Sequence, residues 1–196
     1  MYAGIAASLG VAIDGETTWG LTTQYESIRI HSDGSNWWIL SDFIDSLTYA
    51  EIYGADTSTT ITIASSGKAN KVQITSFAVD GVSNNATPDY TNDHITITKA
   101  GMYLCTVSMH INSVAGGTAE VYGYSVYKNN GATEFANLHG QRNMAGSGGD
   151  EGSVPLSGII DLAANDTIEL WIWNKTNTDN VEVDDINLSL VQVGST

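Results

Sequence analysis

Acidic side chains gather toward the C-terminal end of the chain and are the first candidates for chemistry. Asp179 lies in a polar loop, and Glu182, Asp184 and Asp185 follow it closely. In a regular strand Glu182 and Asp184 point to one face and Asp185 to the other. Calcium prefers oxygen ligands, so Asp179, Asp184 and Asp185 are candidate calcium ligands, although their spacing is not that of an EF-hand. Two carboxylates can also cleave a glycosidic bond, and the spacing leaves this alternative open.

The histidines and the single cysteine form no recognisable catalytic or metal-binding motif. The four histidines are His31, His94, His110 and His139. No HExxH spacing joins them, so each is expected to be a hydrogen-bonded strand residue. Cys105 has apolar neighbours, which predicts a buried, inert thiol and allows no internal disulfide. The chain also lacks the GxSxG, GxGxxG and Walker patterns, so neither nucleophilic hydrolysis nor nucleotide binding is indicated.

Four of the five tryptophans occur as two close pairs, Trp37 with Trp38 and Trp171 with Trp173. Exposed indole rings can stack on sugars, whereas buried rings fill a core or an interface. Trp171 and Trp173 are two residues apart and share one strand face. We therefore expect this second pair to pack in a core or an interface.

Three polar loops are candidates for ligand contact, because loops on a rigid β-scaffold commonly carry function. They span Ser83–Asn92, Ala145–Gly152 and Asn174–Asn180. Their amide and carboxylate groups suit hydrogen bonds to sugar hydroxyls. The candidate ligand-binding residues are Asp89, Asn92, Asp150, Asn174 and Asp179. We expect the loops to lie at the end of the domain away from the N-terminal arm.

Most of the segments that must position these residues have the sequence pattern of β-strands. Glycine occurs 20 times and proline twice, and no window shows a sustained helical period. His94–Thr98 alternates in polarity, and the mostly apolar Met102–Ile111 follows a Lys99–Gly101 turn. Asn130-Gly131 is a strong hairpin signal. About ten such segments at short spacing predict an all-β sandwich.

The charge balance excludes several classes of function. The chain has 22 acidic and 7 basic residues, for a net charge of −15. No basic stripe is present to neutralise phosphates, so we expect no nucleic acid and no anionic membrane as partners. No apolar run reaches 18 residues, so we expect no membrane insertion. The first residues lack a basic n-region, which predicts synthesis in a cytoplasm without a cleaved signal peptide.

The sequence pattern changes near residue 45 and divides the chain into two parts. Residues 1–45 contain a predicted hairpin, in which the Ser32–Asn36 turn joins strands Tyr25–Ile30 and Trp37–Leu40. Residues 46–196 carry the β-domain. An isolated hairpin is marginal in water, so we expect the N-terminal arm to pair with other copies of the chain or with other proteins.

The segment from Tyr49 to Val193 resembles the C1q/TNF-like domain. The motifs that carry the resemblance occur in family order: ITITKAGMYLCTVS, YSVYKNNG, GSVPLSGIIDLAANDTIELWIWN and DDINLSLVQV. The resemblance implies a ten-stranded jelly roll in two sheets, assembled as a homotrimer. Vertebrate C1q-like proteins can hold calcium in loops at the trimer apex, but their ligands match no particular residues here.

The N-terminal segment IDGETT…LTTQYESIRIHSDGSNWWIL resembles a module of bacteriophage tail-fibre and virion proteins. Together the two resemblances imply a trimeric virion protein that is made in the host cytoplasm and is not an enzyme. It would be a tail fibre, a head-fibre knob or a capsid decoration. We expect its N-terminal region to bind other virion proteins and its loops to contact host-surface carbohydrate. No cofactor is expected, apart from the calcium considered above.

Two other interpretations remain open. The first is a soluble trimeric C1q/TNF-like module that binds a protein ligand. The N-terminal module and the absence of disulfides argue against it. The second is a carbohydrate-cleaving tailspike, against which the short chain argues, because tailspike enzymes are long β-helices.

Overall fold

The computed structural model describes residues 4–6, 18–20, 27–43, 47–114, 119–145 and 150–194. Contacts within the chain divide it into two compact units, Met1–Ser46 and Leu47–Thr196. The two units are described separately below.

The first unit contains two short antiparallel pairs. Strand β1 (Gly4–Ala6) pairs with β2 (Thr18–Gly20), and β3 (Ser27–Ser32) pairs with β4 (Trp37–Phe43). The turn between β3 and β4 is the predicted one, and Gly34 within it has φ +93°, which glycine adopts without strain. The first two residues of the predicted strand Tyr25–Ile30 lie outside the described residues.

The described residues of the second unit form thirteen strands, because several predicted strands are broken into short segments. They are β5 (Tyr49–Gly54), β6 (Thr59–Ile61), β7 (Val72–Gln73), β8 (Val79–Asn84), β9 (Ala86–Asp89), β10 (His94–Ile97), β11 (Gly101–Ser113), β12 (Glu120–Lys128), β13 (Thr133–Met144), β14 (Glu151–Ser153), β15 (Leu156–Leu162), β16 (Thr167–Asn174) and β17 (Val181–Gly194).

These strands form two antiparallel sheets. We call the first the β11 sheet; its order is β14-β11-β17-β5-β8, with β15 also paired to β11 and β6 to β17. The second, the β12 sheet, has the order β13-β12-β16-β10-β9, with β7 also paired to β16. Apart from the consecutive pairs β12-β13 and β9-β10, neighbours in these orders are distant in sequence, as expected of a jelly roll rather than a simple meander.

The inner faces of the two sheets share one apolar core. Along β11 the side chains alternate between buried and partly exposed over the whole strand. Tyr103 and Cys105 are fully buried there, and they belong to the same cluster as Tyr122 and Val126 of β12. Burial raises the pKa of the Cys105 thiol to about 12, so the structure agrees with the prediction of an inert cysteine.

A proline separates two strands at the edge of the β11 sheet. Val154 and Pro155 lie between β14 and β15. Both strands pair with β11 at the edge of its sheet, where a missing backbone donor is tolerated.

Helix is nearly absent from the part of the chain that the structure describes. A single 3₁₀ turn spans Lys68–Asn70. Among these residues no helix has the length and apolar character needed to cross a lipid bilayer.

Candidate functional site

The outer face of the β11 sheet carries a row of apolar side chains. Leu104 lies between two fully buried neighbours on β11, so its own side chain points away from the core. It pairs with Ile159 of β15 on one side and Val191 of β17 on the other, and Val191 pairs with Tyr49 of β5. We call these four residues the apolar row. Ile159 is 53 % exposed, and no charged residue lies within the row.

The same face becomes polar farther along the strands, where β17 is bulged. His110 pairs with Asp185 and Ile111 with Val183, which leaves Asp184 without a partner in the register. The prediction that Asp185 faces away from Asp184 is therefore wrong, because the bulge turns two consecutive residues outward. Asp184 Oδ2 lies 3.3 Å from His110 Nδ1, and Asp184 Oδ1 accepts a hydrogen bond from Ser58.

A shallow groove crosses this polar region of the outer face. Its lining residues are Glu51, Tyr53, Ser108, His110, Ser153, Asp185 and Asn187. Asn187 donates to Glu51 Oε1 at 2.6 Å, and Asp185 Oδ1 accepts from the backbone N–H of Asp56 at 3.1 Å. The acids of the groove are thus held by neutral donors.

The outer face of the β12 sheet carries the second tryptophan pair. Trp171 and Trp173 share this face, as the period of two predicted, and Trp173 is only 1 % exposed. A Cβ atom on Gly123 would lie 2.4 Å from the Trp173 ring, so glycine is what lets the indole lie flat on β12. Lys71 Nζ lies 5.1 Å from the Trp171 ring centre. The structure therefore supports packing for this pair rather than a sugar-stacking surface.

Three of the five predicted ligand residues lie at one end of the jelly roll. Asn174 ends β16 opposite Tyr122 of β12, and Asp179 follows in the loop that leads to β17. Asp150 precedes β14, and its carboxylate accepts from the backbone N–H of Ala145 at 2.5 Å. Asp150 also lies 3.6 Å from Arg142, which pairs with Tyr122 in the next strand. We call this region the loop end.

The other two predicted ligand residues are elsewhere. Asp89 ends the edge strand β9, and its carboxylate accepts from the side chain of Asn92 at 2.8 Å. This hydrogen bond is the main cause that lowers the pKa of Asp89. Asn84, in the same predicted loop, donates to the carbonyl of Leu47, where the jelly roll begins. Ser83–Asn92 therefore does not join the other two loops at the loop end, and the position of the loops relative to the N-terminal arm stays a prediction.

The loop end also contains a buried acid that the sequence did not single out. Glu120 begins β12 and is 1 % exposed. Tyr122 donates a short hydrogen bond to Glu120 Oε2, whereas Glu120 Oε1 is buried without a hydrogen-bond partner among the described residues. Burial is the main cause that raises the pKa of Glu120, and the neighbouring Asp179 carboxyl group raises it further. No spacing pattern signals this pair, because Glu120 and Asp179 are 59 positions apart in the sequence.

Where the structure describes contacts of the histidines, they agree with the prediction that these residues are hydrogen-bonded strand residues. His139 Nδ1 lies 3.0 Å from Glu134, and its ring packs edge-on to Trp173. His94 and His110 lie in strands β10 and β11. Within the described ranges, no three His, Cys, Asp or Glu residues are grouped as a metal site. Asp179 and the pair Asp184–Asp185 have separate partners, so calcium at all three together is not supported and calcium stays a prediction.

The hairpin of the first unit has an ordered turn with exposed aromatic residues beside it. Asp33 accepts from the backbone N–H groups of Ser35 and Asn36 and from Trp38 Nε1 at 2.9 Å. These hydrogen bonds, with that from Trp38 the largest cause, lower the pKa of Asp33 to about 2. Trp37 and Trp38 are 38 % and 45 % exposed. This pair is therefore available for contact within the described part of the unit.

No protein-family model matches the sequence, and no curated protein matches it either. Solved structures do match the fold. The Eiger TNF structure from S. frugiperda aligns with a TM-score of 0.53 at 13 % identity, over 76 % of this chain and 94 % of that chain. Murine APRIL, in a crystal structure at pH 5.0, aligns with a TM-score of 0.50 at 12 % identity, over 76 % of this chain and all of that chain. The likeness confirms the predicted C1q/TNF-like jelly-roll fold.

Proposed function

We propose that this chain is a structural protein of a bacteriophage virion. In this proposal it forms a homotrimeric fibre, knob or capsid decoration that is attached through its N-terminal region. The observation that carries the proposal is the apolar row on the outer face of the β11 sheet. The phage assignment itself is supported by the resemblance of the SDGSNW hairpin to virion proteins.

The apolar row supports self-association. Burying a whole aliphatic side chain contributes about 1.5–3 kcal/mol, so the three aliphatic residues of the row, together with Tyr49, give a strong driving force when they are covered. Val193, 52 % exposed, lies on the same strand as Val191 and extends the apolar surface. A chain with a net charge of −15 that leaves such a row uncharged has a surface suited to a copy of itself.

Light scattering of the full-length protein tests the trimer. We expect three times the chain mass at micromolar concentration. Leu104→Asp should give monomers, because three carboxylates would be buried at the interface. Val82→Asp is the matched control, since Val82 is 69 % exposed on β8 and should leave the mass unchanged. A native monomer would remove the basis of the proposal.

Attachment through the first unit has its own test. Deletion of residues 1–45 should leave a β-rich, cooperatively unfolding protein that no longer enters particles. The hairpin alone is too small for independent stability, so it is expected to gain its order from a partner. Incorporation of the truncated protein into particles would contradict the anchoring role, and the position of the full chain in an electron-microscopy map would locate it on capsid or tail.

Contact with host carbohydrate forms the second part of the proposal. Asp150, Asn174 and Asp179 at the loop end present amide and carboxylate groups, and three copies of a weak site would add avidity. Asp89 and Asn92 lie on a different edge, so they make a separate candidate. A glycan array with native protein and with Asp150→Ala plus Asp179→Ala distinguishes the two, using Asp89→Ala as the matched variant. Binding that survives all three substitutions excludes these carboxylates.

A soluble trimeric module that binds a protein ligand is the alternative, and the fold supports it equally. The two proposals differ in where the protein is found. Presence in purified phage particles at a fixed copy number favours the virion protein, whereas its absence from particles favours the soluble module.

A further inference from the structure

We propose that the loop end binds a calcium ion through the carboxylates of Glu120 and Asp179 together with backbone carbonyl oxygens of the loop before β17. The inference does not depend on the trimer or on the virion, because the site lies within one chain.

The first observation is an excess of acceptor oxygens around one hydroxyl group. The Tyr122 hydroxyl contacts Glu120 Oε2, the carbonyl of Asp179 at 3.2 Å and the carbonyl of Asn180 at 2.8 Å. A phenol has one proton and can donate to one of these three oxygens. The Asp179 carbonyl also accepts from Asn174 Nδ2, but each carbonyl oxygen has a second lone pair, so the oxygens that the hydroxyl does not donate to can bind a cation.

The second observation is the burial of Glu120. Its side chain is 1 % exposed, and Oε1 has no hydrogen-bond partner in the part of the chain that is described. The group that Glu120 contacts is the Asp179 carboxyl group, not a basic side chain. An unpaired buried carboxylate is strongly unfavourable, so this group needs a positive partner or a proton.

No side chain in the described part of the chain supplies that positive partner. The ion pairs among the described residues join Lys68 and His139 to Glu134, His110 to Asp184, Lys128 to Asp166 and Arg142 to Asp150. Neither Glu120 nor Asp179 is in one of them. Lys175, the nearest lysine along the chain, donates to Gln141 instead.

The chemistry of the surrounding groups selects the kind of cation. The ligands on offer are carboxylate, carbonyl and hydroxyl oxygens, without thiolate or imidazole. This set suits calcium, which accepts six to eight oxygens in irregular geometry, better than zinc or magnesium. Asp179 is only half-buried, so an ion can reach the site from solvent.

The loop is held in place by its asparagines. Asn174 Oδ1 accepts from the backbone N–H groups of Thr176 and Asn177, and Asn174 Nδ2 donates to the carbonyl of Asp179 at 3.2 Å. Asn177 Nδ2 donates to Asp179 Oδ2 at 2.6 Å. The carboxylate and carbonyl of Asp179 are therefore fixed before an ion binds, which lowers the ordering cost.

The test uses the full-length protein, stripped with a chelator and returned to calcium-free buffer. Calcium should raise Tm by about 5 °C or more at a concentration about 100 times Kd. Terbium, which occupies calcium sites, should luminesce on excitation of the protein because the Tyr122 ring adjoins the site. Calcium should displace the terbium signal.

Substitutions assign the response to this site. Glu120→Gln should weaken calcium binding by at least about tenfold, because affinity follows the charge of the ligands. Asp179→Asn should do the same, and it provides the comparison if the buried variant does not fold. Glu151→Gln is the matched control: it removes one exposed acid at the same end and should bind like the native protein.

Two outcomes would overturn the proposal. A native protein whose Tm and terbium luminescence are unaffected would show that Glu120 holds a proton rather than an ion. A calcium response that Glu120→Gln and Asp179→Asn both retain would place the ion elsewhere in the chain.

Discussion

Buried carboxylates at the two ends of strand β12 have opposite surroundings. At the Lys128 end, Asp166 accepts from Lys128 Nζ at 2.7 Å and from Asn129 at 2.8 Å. Burial alone would raise the pKa of Asp166, but these partners hold it below its usual value. At the other end Glu120 has one donor, Tyr122. One end of β12 thus neutralises the acid beside it with a lysine, and the other end does not.

Glu169 extends the contrast. It is 3 % exposed and lies near the Lys128 end of β12, yet both of its oxygens are satisfied. Backbone N–H groups of Asn130 and Gly131 donate to it from the hairpin turn, and Trp171 donates from its own strand. A tight turn can therefore neutralise an acid with backbone groups that already exist. The long Asn174–Asn180 loop presents carbonyl oxygens instead, which make the electrostatic potential around Glu120 more negative.

The largest effect is expected from breaking the ion pair at the neutralised end. Lys128→Met leaves Asp166 buried with neutral donors only, and should cost about 3 kcal/mol of unfolding free energy. Urea unfolding at pH 7 measures it. Lys175→Met, the control, removes an exposed lysine bonded to Gln141 and should change stability by less than about 0.5 kcal/mol. Equal costs for the two variants would mean that Lys128 does not neutralise Asp166.

Asp93 is a second buried acid with few donors, and it links the comparison to pH. It accepts from the backbone N–H of Phe77 at 3.4 Å, and burial raises its pKa from 3.8 to about 6. Because the folded state binds this proton more tightly than the unfolded state, stability from this group falls as pH rises from about 4 to about 6.

Asp93→Asn should therefore stabilise the protein above pH 6 by up to about 2–3 kcal/mol, and by little at pH 4. Asparagine also tolerates the positive φ of 55° at this position. Thermal unfolding of both proteins from pH 4 to 8 measures the difference. A difference that does not vary with pH would show that Asp93 is not the titrating group.

Glu169→Gln sharpens the comparison at the satisfied end. Each carboxylate oxygen accepts from two donors there, so an amide NH₂ in place of either oxygen must face N–H groups. The expected cost is about 2 kcal/mol. Denaturant unfolding in calcium-free buffer provides the measurement, and a neutral result would mean that the hairpin turn rearranges easily.

The same substitution at the other end should have the smallest effect and the opposite sign. In calcium-free buffer Glu120→Gln removes a like-charge contact with Asp179 and lets an amide donate to loop oxygens. Stability should stay equal or rise by up to about 1 kcal/mol. Destabilisation equal to that of Glu169→Gln would erase the proposed difference between the two ends.

The sequence predicted the parts of the fold that depend on local pattern. The mostly apolar residues Met102–Ile111 indicated a strand, and β11 is that strand, slightly longer than expected. Asn129, Asn130 and Gly131 all have positive φ, as an Asn-Gly turn requires. These features follow from neighbouring residues and therefore show in a short window of sequence.

The candidate sites were predicted less well, because they depend on register and on distant pairs. One additional residue in β17 moves Asp185 to the face of Asp184, and nothing in the local pattern signals that bulge. Glu120 meets Asp179 only because β12 and β16 pair. Asp89 and Asn92 were expected beside Asn174, but the sheet order places β9 on the far edge.

The buried cysteine of β11 can be used to measure how often the native protein opens. Cys105 is the single thiol of the chain, is fully buried, and lies in a strand paired on both sides. A thiol reagent can therefore modify the chain only when the central strand opens, so the labelling rate records the frequency of that opening. A bound ion at the loop end, or a covered apolar row, would each slow the same reaction without any change at the cysteine itself.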